Sequence, residues 1–314
     1  MGVLYVVSAE ASAGKTAICA GLARNLMNDG KKVGYLKPQV VGKDGSDSDI
    51  VFMKQILGLA DVVNAPDVVK GRDVVLVEAM LGPTADDAVS KDTYGAAKEM
   101  KARAIAVEAY SGKASGFIDV YKGFGENLLG VIINKVPESQ VKRVKDEATA
   151  QFGAAGINVL AVIPENRVLL AITVGELAES VRGKILNNPE KSGELVENFM
   201  LGAMVVDSGL DYFGRKNNKA AIVRQDRPDM QLAALETSTK CLVLTGSPDE
   251  SGPAYNVLQK AEARGIPIIT TETEVQDIIA SLEGTLMSTR LNQEKKLSRL
   301  AEVVKQNLDI KALV

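Results

Sequence analysis

The densest chemistry in this sequence lies in Ala9-Glu10-Ala11-Ser12-Ala13-Gly14-Lys15-Thr16. These residues follow an apolar run, Val3–Val7, that reads as a strand. They open a helix-period stretch that continues to Asp29 and is closed by Gly30. A Gly-Lys-Thr tripeptide between a strand and a helix is the pattern of a phosphate cradle. Backbone N–H groups of Ala13 to Thr16 then point into one concavity at a helix N-terminus, where the dipole favours an anion. In that geometry Lys15 reaches the β- and γ-phosphates of ATP and the Thr16 hydroxyl ligates Mg²⁺. Ala13, Gly14, Lys15 and Thr16 are therefore the expected nucleotide-binding residues. Ala9 stands where the pattern usually has its first glycine, and alanine demands a negative φ there.

Further candidates follow from position, because ligands of open α/β sheets bind at the carboxyl ends of strands. Lys37-Pro38 ends the second apolar run, since Pro38 cannot continue a strand. Lys37 reads either as a second cation for phosphate or as a lysine on the rim. Asp47 and Asp49 straddle Ser48 at a helix start, one suited to capping and the other to Mg²⁺. Glu78 follows Val74-Val75-Leu76-Val77, where a Walker-B-type acid would hold the metal or act in catalysis. Asn134 ends a fifth run and Pro164-Glu165 a sixth. The Asn134 amide can read an adenine edge or serve as a turn residue.

Composition narrows the chemistry. The 314 residues contain no histidine, which removes Ser-His-Asp triads, imidazole bases and His-containing zinc sites. The two cysteines, Cys19 and Cys241, cannot build a cysteine-rich metal site, and they fit a reducing cytoplasm. What remains is Lys, Arg, carboxylates and backbone N–H groups, a set suited to phosphate chemistry with a hard cation. A net charge of −3 lacks the basic footprint of a nucleic-acid binder. No apolar run approaches the roughly 20 residues of a membrane span, and no basic region marks a secretory leader. A cytoplasmic protein with no nucleic-acid or membrane partner is expected.

Those side chains need a scaffold, and the pattern supplies one. Val3–Val7, Val33–Lys37, Val74–Val77, Arg103–Val107, Leu128–Asn134 and Val159–Ile163 are continuous apolar runs, as expected of strands covered on both faces. Helix-period stretches alternate with them: Lys15–Asp29, Ser48–Leu57, Thr93–Met100, Ala114–Phe124 and Glu138–Phe152. The alternation predicts a doubly wound, mostly parallel α/β sheet. From about Thr173 the rhythm changes, with helices expected over Thr173–Arg182 and Glu190–Met200. A shorter β/α series follows, with strands at Ala220–Val223, Cys241–Leu244 and Ile266–Thr270. Its helices are expected over Pro228–Ser238, Pro253–Arg264 and Val275–Leu282, before a last one over Arg290–Leu308. Two domains are expected, 1–185 and 186–314, the terminal helix belonging to the second. Leu297, Leu300, Val304 and Leu308 form one apolar stripe on that helix, suited to docking on its own domain or to a dimer seam.

Residues 1 to about 170 resemble the dethiobiotin synthetase and cobyrinic acid a,c-diamide synthase branch of P-loop proteins. The resemblance rests on Ser8–Thr16, Val33–Pro38, Asp73–Glu78, Gly130–Asn134 and Val162–Glu165. It implies a P-loop NTPase-type sheet in which Lys15, Thr16, Lys37, Asp49 and Glu78 handle MgATP and an activated carboxylate. Asn134 and Pro164 would contact adenine. The segment Ala221–Asp229 resembles a DRTGG domain, with only Asp226-Arg227 of that motif intact. The tandem is similar to the N-terminal regulatory part of long phosphate acetyltransferases, without their acetyltransferase domain.

The departures shape the functional expectation. Leu59–Arg72 is short where a dethiobiotin synthetase has a long substrate-binding segment, and Ala79-Met80-Leu81 replaces its glycine-rich turn. MgATP binding with a regulatory role is therefore expected, the DRTGG-like domain taking a small effector or pairing two chains into a homodimer. The rival expectation is an ATP-dependent ligase acting on a small carboxylate or amine. A partitioning-type ATPase is a third, disfavoured because Glu10 and Ser12 flank Ala11 where such proteins carry an extra lysine.

Overall fold

The computed structural model describes residues 2–38, 47–58, 71–113, 115–202, 209–246, 252–287 and 294–314. Elements of the first half are β1 (Gly2–Ser8), α1 (Lys15–Asn28), β2 (Val33–Leu36), α2 (Ser48–Leu57), β3 (Val74–Met80) and α3 (Ala88–Glu99). They continue with β4 (Arg103–Ala109), α4 (Ile118–Lys122), β5 (Leu128–Val136), α5 (Val141–Ala154) and β6 (Val159–Pro164). The six strands form one parallel sheet in the order β2-β3-β1-β4-β5-β6. All six apolar runs are strands. β1 lies between β3 and β4 with Val6 opposite Glu78, so the loop after β1 leaves the centre of the sheet. Tyr5, Val7, Val75, Val77, Ala104, Ala106, Val131 and Phe152 belong to one buried cluster that seals one face. The alternate residues Leu4, Val6, Leu76, Ile105, Val107 and Ile132 are buried as well, so both faces are covered, which explains the continuous apolar runs.

The second half contains α6 (Arg167–Leu170), β7 (Ile172–Thr173), α7 (Val174–Ser180), β8 (Lys184–Ile185), β9 (Leu195–Val196), β10 (Asn198–Leu201) and α8 (Gly209–Gly214). It continues with β11 (Lys219–Arg224), α9 (Pro228–Leu235), β12 (Thr239–Thr245), α10 (Tyr255–Ala263), β13 (Ile268–Thr271), α11 (Val275–Met287) and α12 (Glu294–Asn307), followed by a 3₁₀ turn at Ile310–Ala312. A five-stranded sheet runs β10-β11-β12-β13-β8, parallel except for the β8 edge. The helix expected over Glu190–Met200 does not form. A 3₁₀ turn, β9 and β10 occupy that stretch. Asn198–Leu201 pairs with Lys219–Ile222, and that tertiary pairing overrides the local helical pattern.

The compact units are residues 1–166 with 291–314, and 167–290. Both differences from the expected 1–185 and 186–314 have physical causes. Thr173 caps α7 by a reciprocal bond with Glu176, and Ile172, Val174 and Leu177 pack with Ala220, Val243 and Ile269 of the second unit. α12 packs on α1: Asn25 Nδ2 donates to the Ala301 carbonyl at 2.9 Å, and Arg24 pairs with Glu294 at 2.5 Å. Gly21 permits the approach, since a Cβ there would lie 2.5 Å from Val304 Cγ2. Leu297, Leu300, Val304 and Leu308 are all buried, so the stripe docks on the chain's own first unit rather than offering a dimer seam.

Candidate functional site

The loop between β1 and α1 is shaped by two left-handed residues, Ser12 at φ 59° and Gly14 at φ 94°. Ala9 is not among the positive-φ residues, so the missing first glycine costs this loop nothing. Ser8 turns the chain: its hydroxyl accepts from Glu10 N at 2.9 Å. Gly14 caps α1, and its carbonyl accepts from Ile18 N at 3.0 Å. A Cβ on Gly14 would stand 2.3 Å from Asn134 Nδ2. Glycine is thus required twice, by dihedral angle and by space.

The end of β5 fastens this loop. Asn134 Nδ2 donates to the Ala13 carbonyl at 2.9 Å, and Lys135 Nζ donates to the Ser12 carbonyl at 2.8 Å. Lys135 itself holds φ at 60°. Asn134 was read from sequence as an adenine contact or a turn residue. Here its amide N–H holds the phosphate loop, a role that strand-end position alone does not reveal. Pro164 ends β6 opposite Val136, and the following Glu165 N donates to the Val136 carbonyl at 2.8 Å.

Lys15, Thr16 and Glu78 meet at the other side of the loop. Thr16 Oγ1 donates to Glu78 Oε1 at 3.0 Å. Tyr35 OH donates to Glu78 Oε2 at 2.7 Å from the buried interior. Glu78 is only 3% exposed, and burial lifts its carboxyl above the usual range, against the pull of the Tyr35 bond and of Lys37 and Lys15. Burial likewise lowers the Lys15 ammonium, against the attraction of Glu78. The Lys15 Nζ lies 2.9 Å from the Met80 Sδ. Tyr35 is the member of this group that sequence reasoning missed. An apolar run with one tyrosine does not reveal which strand neighbour its hydroxyl meets.

Lys37 joins Asp47 at 2.8 Å and Asp49 at 2.6 Å. Burial alone would pull its ammonium down, but the hydrogen bonds to the two carboxylates carry it above its ordinary value. Burial would raise Asp47, yet bonds from Lys37 and from Asp49 N bring its carboxyl below the usual range. Asp47 is the helix cap, accepting from Asp49 N at 2.8 Å, which settles which of the two acids caps α2. Of the connection 59–72, whose shortness counts against a ligase, residues 59–70 lie outside the described residues.

The donor set suits a hard cation held partly by phosphate. One hydroxyl, Thr16, and one carboxylate, Glu78, stand within hydrogen-bond reach, and Mg²⁺ typically takes one or two protein oxygens plus phosphate and water. Among the described residues no group of three or more Cys, Asp or Glu could hold a metal unaided. No helix among them is long and apolar enough to cross a membrane.

Comparison with known families decides the domain identities. Residues 3–72 match the model of an AAA domain, and residues 176–292 match that of a DRTGG domain. The chain joins a P-loop AAA domain to a DRTGG domain. A phosphate acetyltransferase of Salmonella typhimurium is 20% identical over 96% of this chain and 51% of its own length. The chain thus spans about half the length of the curated relatives it matches. The MinD cell division protein of Aquifex aeolicus is 18% identical, with a TM-score of 0.37 over 54% of this chain and 84% of its own. The CBS and DRTGG domains of a Clostridium perfringens pyrophosphatase, solved with the activator diadenosine tetraphosphate, are 14% identical. Their TM-score is 0.33, over 52% of this chain and 76% of that one. The AAA match includes the Gly14-Lys15-Thr16 loop that follows β1. The DRTGG domain carries Asp226-Arg227 just past β11, where Arg227 forms a bidentate pair with Asp229 at 3.0 and 2.8 Å.

Proposed function

We propose that this protein binds MgATP at the AAA domain and uses that occupancy as a regulatory signal, with the DRTGG domain as effector-binding or pairing module of a cytoplasmic homodimer. The observation that carries the reading is the convergence of Lys15, Thr16 and Glu78 on one end of β1 and β3. Lys15 supplies a cation for the β/γ-phosphates, and Thr16 with Glu78 would hold Mg²⁺. A bound cation would reverse the local electrostatics, drawing the Glu78 carboxyl back down. Lys37 would add a second cation after loosening its pairs with Asp47 and Asp49, and Asp49 would then serve the metal. Asn134 and Pro164 flank the adenine side.

Regulation is favoured over ligation because the Met80 thioether stands 2.9 Å from Lys15 Nζ, in the turn where the resembled ligases carry glycines that leave room for a second substrate. Slow ATP turnover and no carboxylation of 7,8-diaminopelargonate are expected. The test is calorimetry with MgATP and with ATP plus chelator, combined with hydrogen exchange. Mg²⁺-dependent binding, with altered protection across 219–285, supports the reading. Protection changes confined to 8–50 and 130–165 would leave nucleotide binding standing and remove the regulatory role.

A further inference from the structure

The carboxyl end of β4 opens into a cavity of about 310 Å³, on the side of the phosphate loop away from Glu78's partner strand β2. Small-molecule pockets begin at about this size, roughly 300 Å³. Its wall has an apolar part, built on Phe117, Val144 and Phe152, and carries three carboxylates, Glu10, Glu108 and Glu147, of which Glu147 is paired with Arg143. Glu108 is 8% exposed and accepts a hydrogen bond from Ser115 Oγ. Glu10 leans across from the phosphate loop, where its Oε2 accepts from Ala109 N at 3.3 Å. Among the described residues neither Glu108 nor Glu10 has a Lys or Arg within ion-pair distance, and Lys113 at the exposed rim pairs with neither.

A buried carboxylate without a counter-cation is costly, and proteins ordinarily pair or neutralise it. Burial raises the Glu108 carboxyl and the charge of Glu10 adds to the rise, against the hydroxyls of Ser115 and Tyr121. We propose that this cavity is a second ligand site that takes a small organic ammonium, its cationic head between Glu10 and Glu108 and its apolar body against Phe117, Val144 and Phe152. The ligand supplies the counter-charge that Glu10 and Glu108 lack. A divalent ion fits less well, because the cavity is far larger than a bare cation, Glu147 is already paired with Arg143, and among the described residues no three acids are grouped so as to hold a metal. Glu10 belongs to the phosphate-loop segment, so a ligand here would touch the backbone that cradles phosphate.

The experiment uses the full chain without nucleotide, so its outcome does not depend on ATP binding. Hexylamine is the probe, with hexan-1-ol and MgCl₂ as controls, followed by calorimetry. One saturable hexylamine site, with hexanol at least about tenfold weaker, is expected from the loss of a charge-assisted bond. Glu108→Gln should weaken hexylamine by at least about tenfold and leave hexanol unchanged. Glu10→Gln, at a half-buried position, gives the same reading if the Glu108 variant does not fold by circular dichroism. Equal binding of hexylamine and hexanol overturns the proposal. So does hexylamine affinity indifferent to both substitutions, or Mg²⁺ saturating the site and excluding hexylamine.

Discussion

Substituting Gly14 by alanine tests how tightly the phosphate loop is preformed. The new Cβ would meet Asn134 Nδ2 at 2.3 Å, in a residue whose φ is 94°. Left-handed backbone costs an L-residue about 1–2 kcal/mol. Displacing the Asn134 amide also sacrifices its 2.9 Å bond to the Ala13 carbonyl, worth about 0.5–1.5 kcal/mol. Together these reach about 1.5–3.5 kcal/mol, which at about 1.4 kcal/mol per decade is a loss of about ten- to three-hundred-fold if the loop must regain its shape to bind. Titration calorimetry with MgATP measures the loss directly, and thermal unfolding shows how much falls on the free protein. The steric part has a separate signature. Asn134→Ala removes the obstacle, so the Gly14→Ala/Asn134→Ala double variant should lose less than the sum of the single variants. Additive losses, or unchanged affinity in Gly14→Ala alone, would refute the claim that Asn134 and Gly14 are packed against each other in the binding-competent loop.

Lys15→Ala removes a cation worth about 1.5–3 kcal/mol of charge-assisted bonding, so MgATP affinity should drop about ten- to a hundred-fold by calorimetry. Glu78 keeps its proton to higher pH in the folded chain than its ordinary 4.5. The folded state then binds more protons as pH climbs through the window above 4.5, and stability falls there. Glu78→Gln should flatten that decline in urea titrations run across the window. Lys219 acts with the opposite slope: burial lowers its ammonium to about 8, from 10.5, so stability should rise between those values. Lys219→Met should abolish that rise, and an unchanged slope would assign it to other groups. Gly21→Leu forces α12 away from α1 and should cost about 1–3 kcal/mol in thermal melts.

How much was readable in advance depended on whether a signal was local. The six strands of the first sheet were legible because burial on both faces leaves continuous apolar runs such as Val74–Val77. The phosphate loop was legible because strand, Gly-Lys-Thr and helix are contiguous. Asn134, by contrast, was found at the right strand end with its present task unseen, since the bond to Ala13 spans 121 residues. Tyr35 and Glu78 are 43 residues apart and become partners only once β2 and β3 pair. The apolar stripe of α12 announced burial without saying against what. Glu190–Met200 misled for a different reason: its strands are two and four residues long, too short for period-two alternation to stand out.

The return of α12 to α1 also sets an order of events during synthesis. Asn25 and its partner Ala301 are separated by 276 residues. At the ribosome's roughly 5–20 residues per second, α1 waits on the order of 14–55 s for the helix that covers it. The DRTGG region, residues 176–292, is translated entirely within that interval. It can close its own sheet first, while the apolar flank of α1 around Gly21 stays open to water. The nascent chain therefore carries α1 half-dressed through most of its production. A chaperone that binds apolar helical surface would find its natural target there, and a fragment ending at residue 166 would keep that surface exposed permanently.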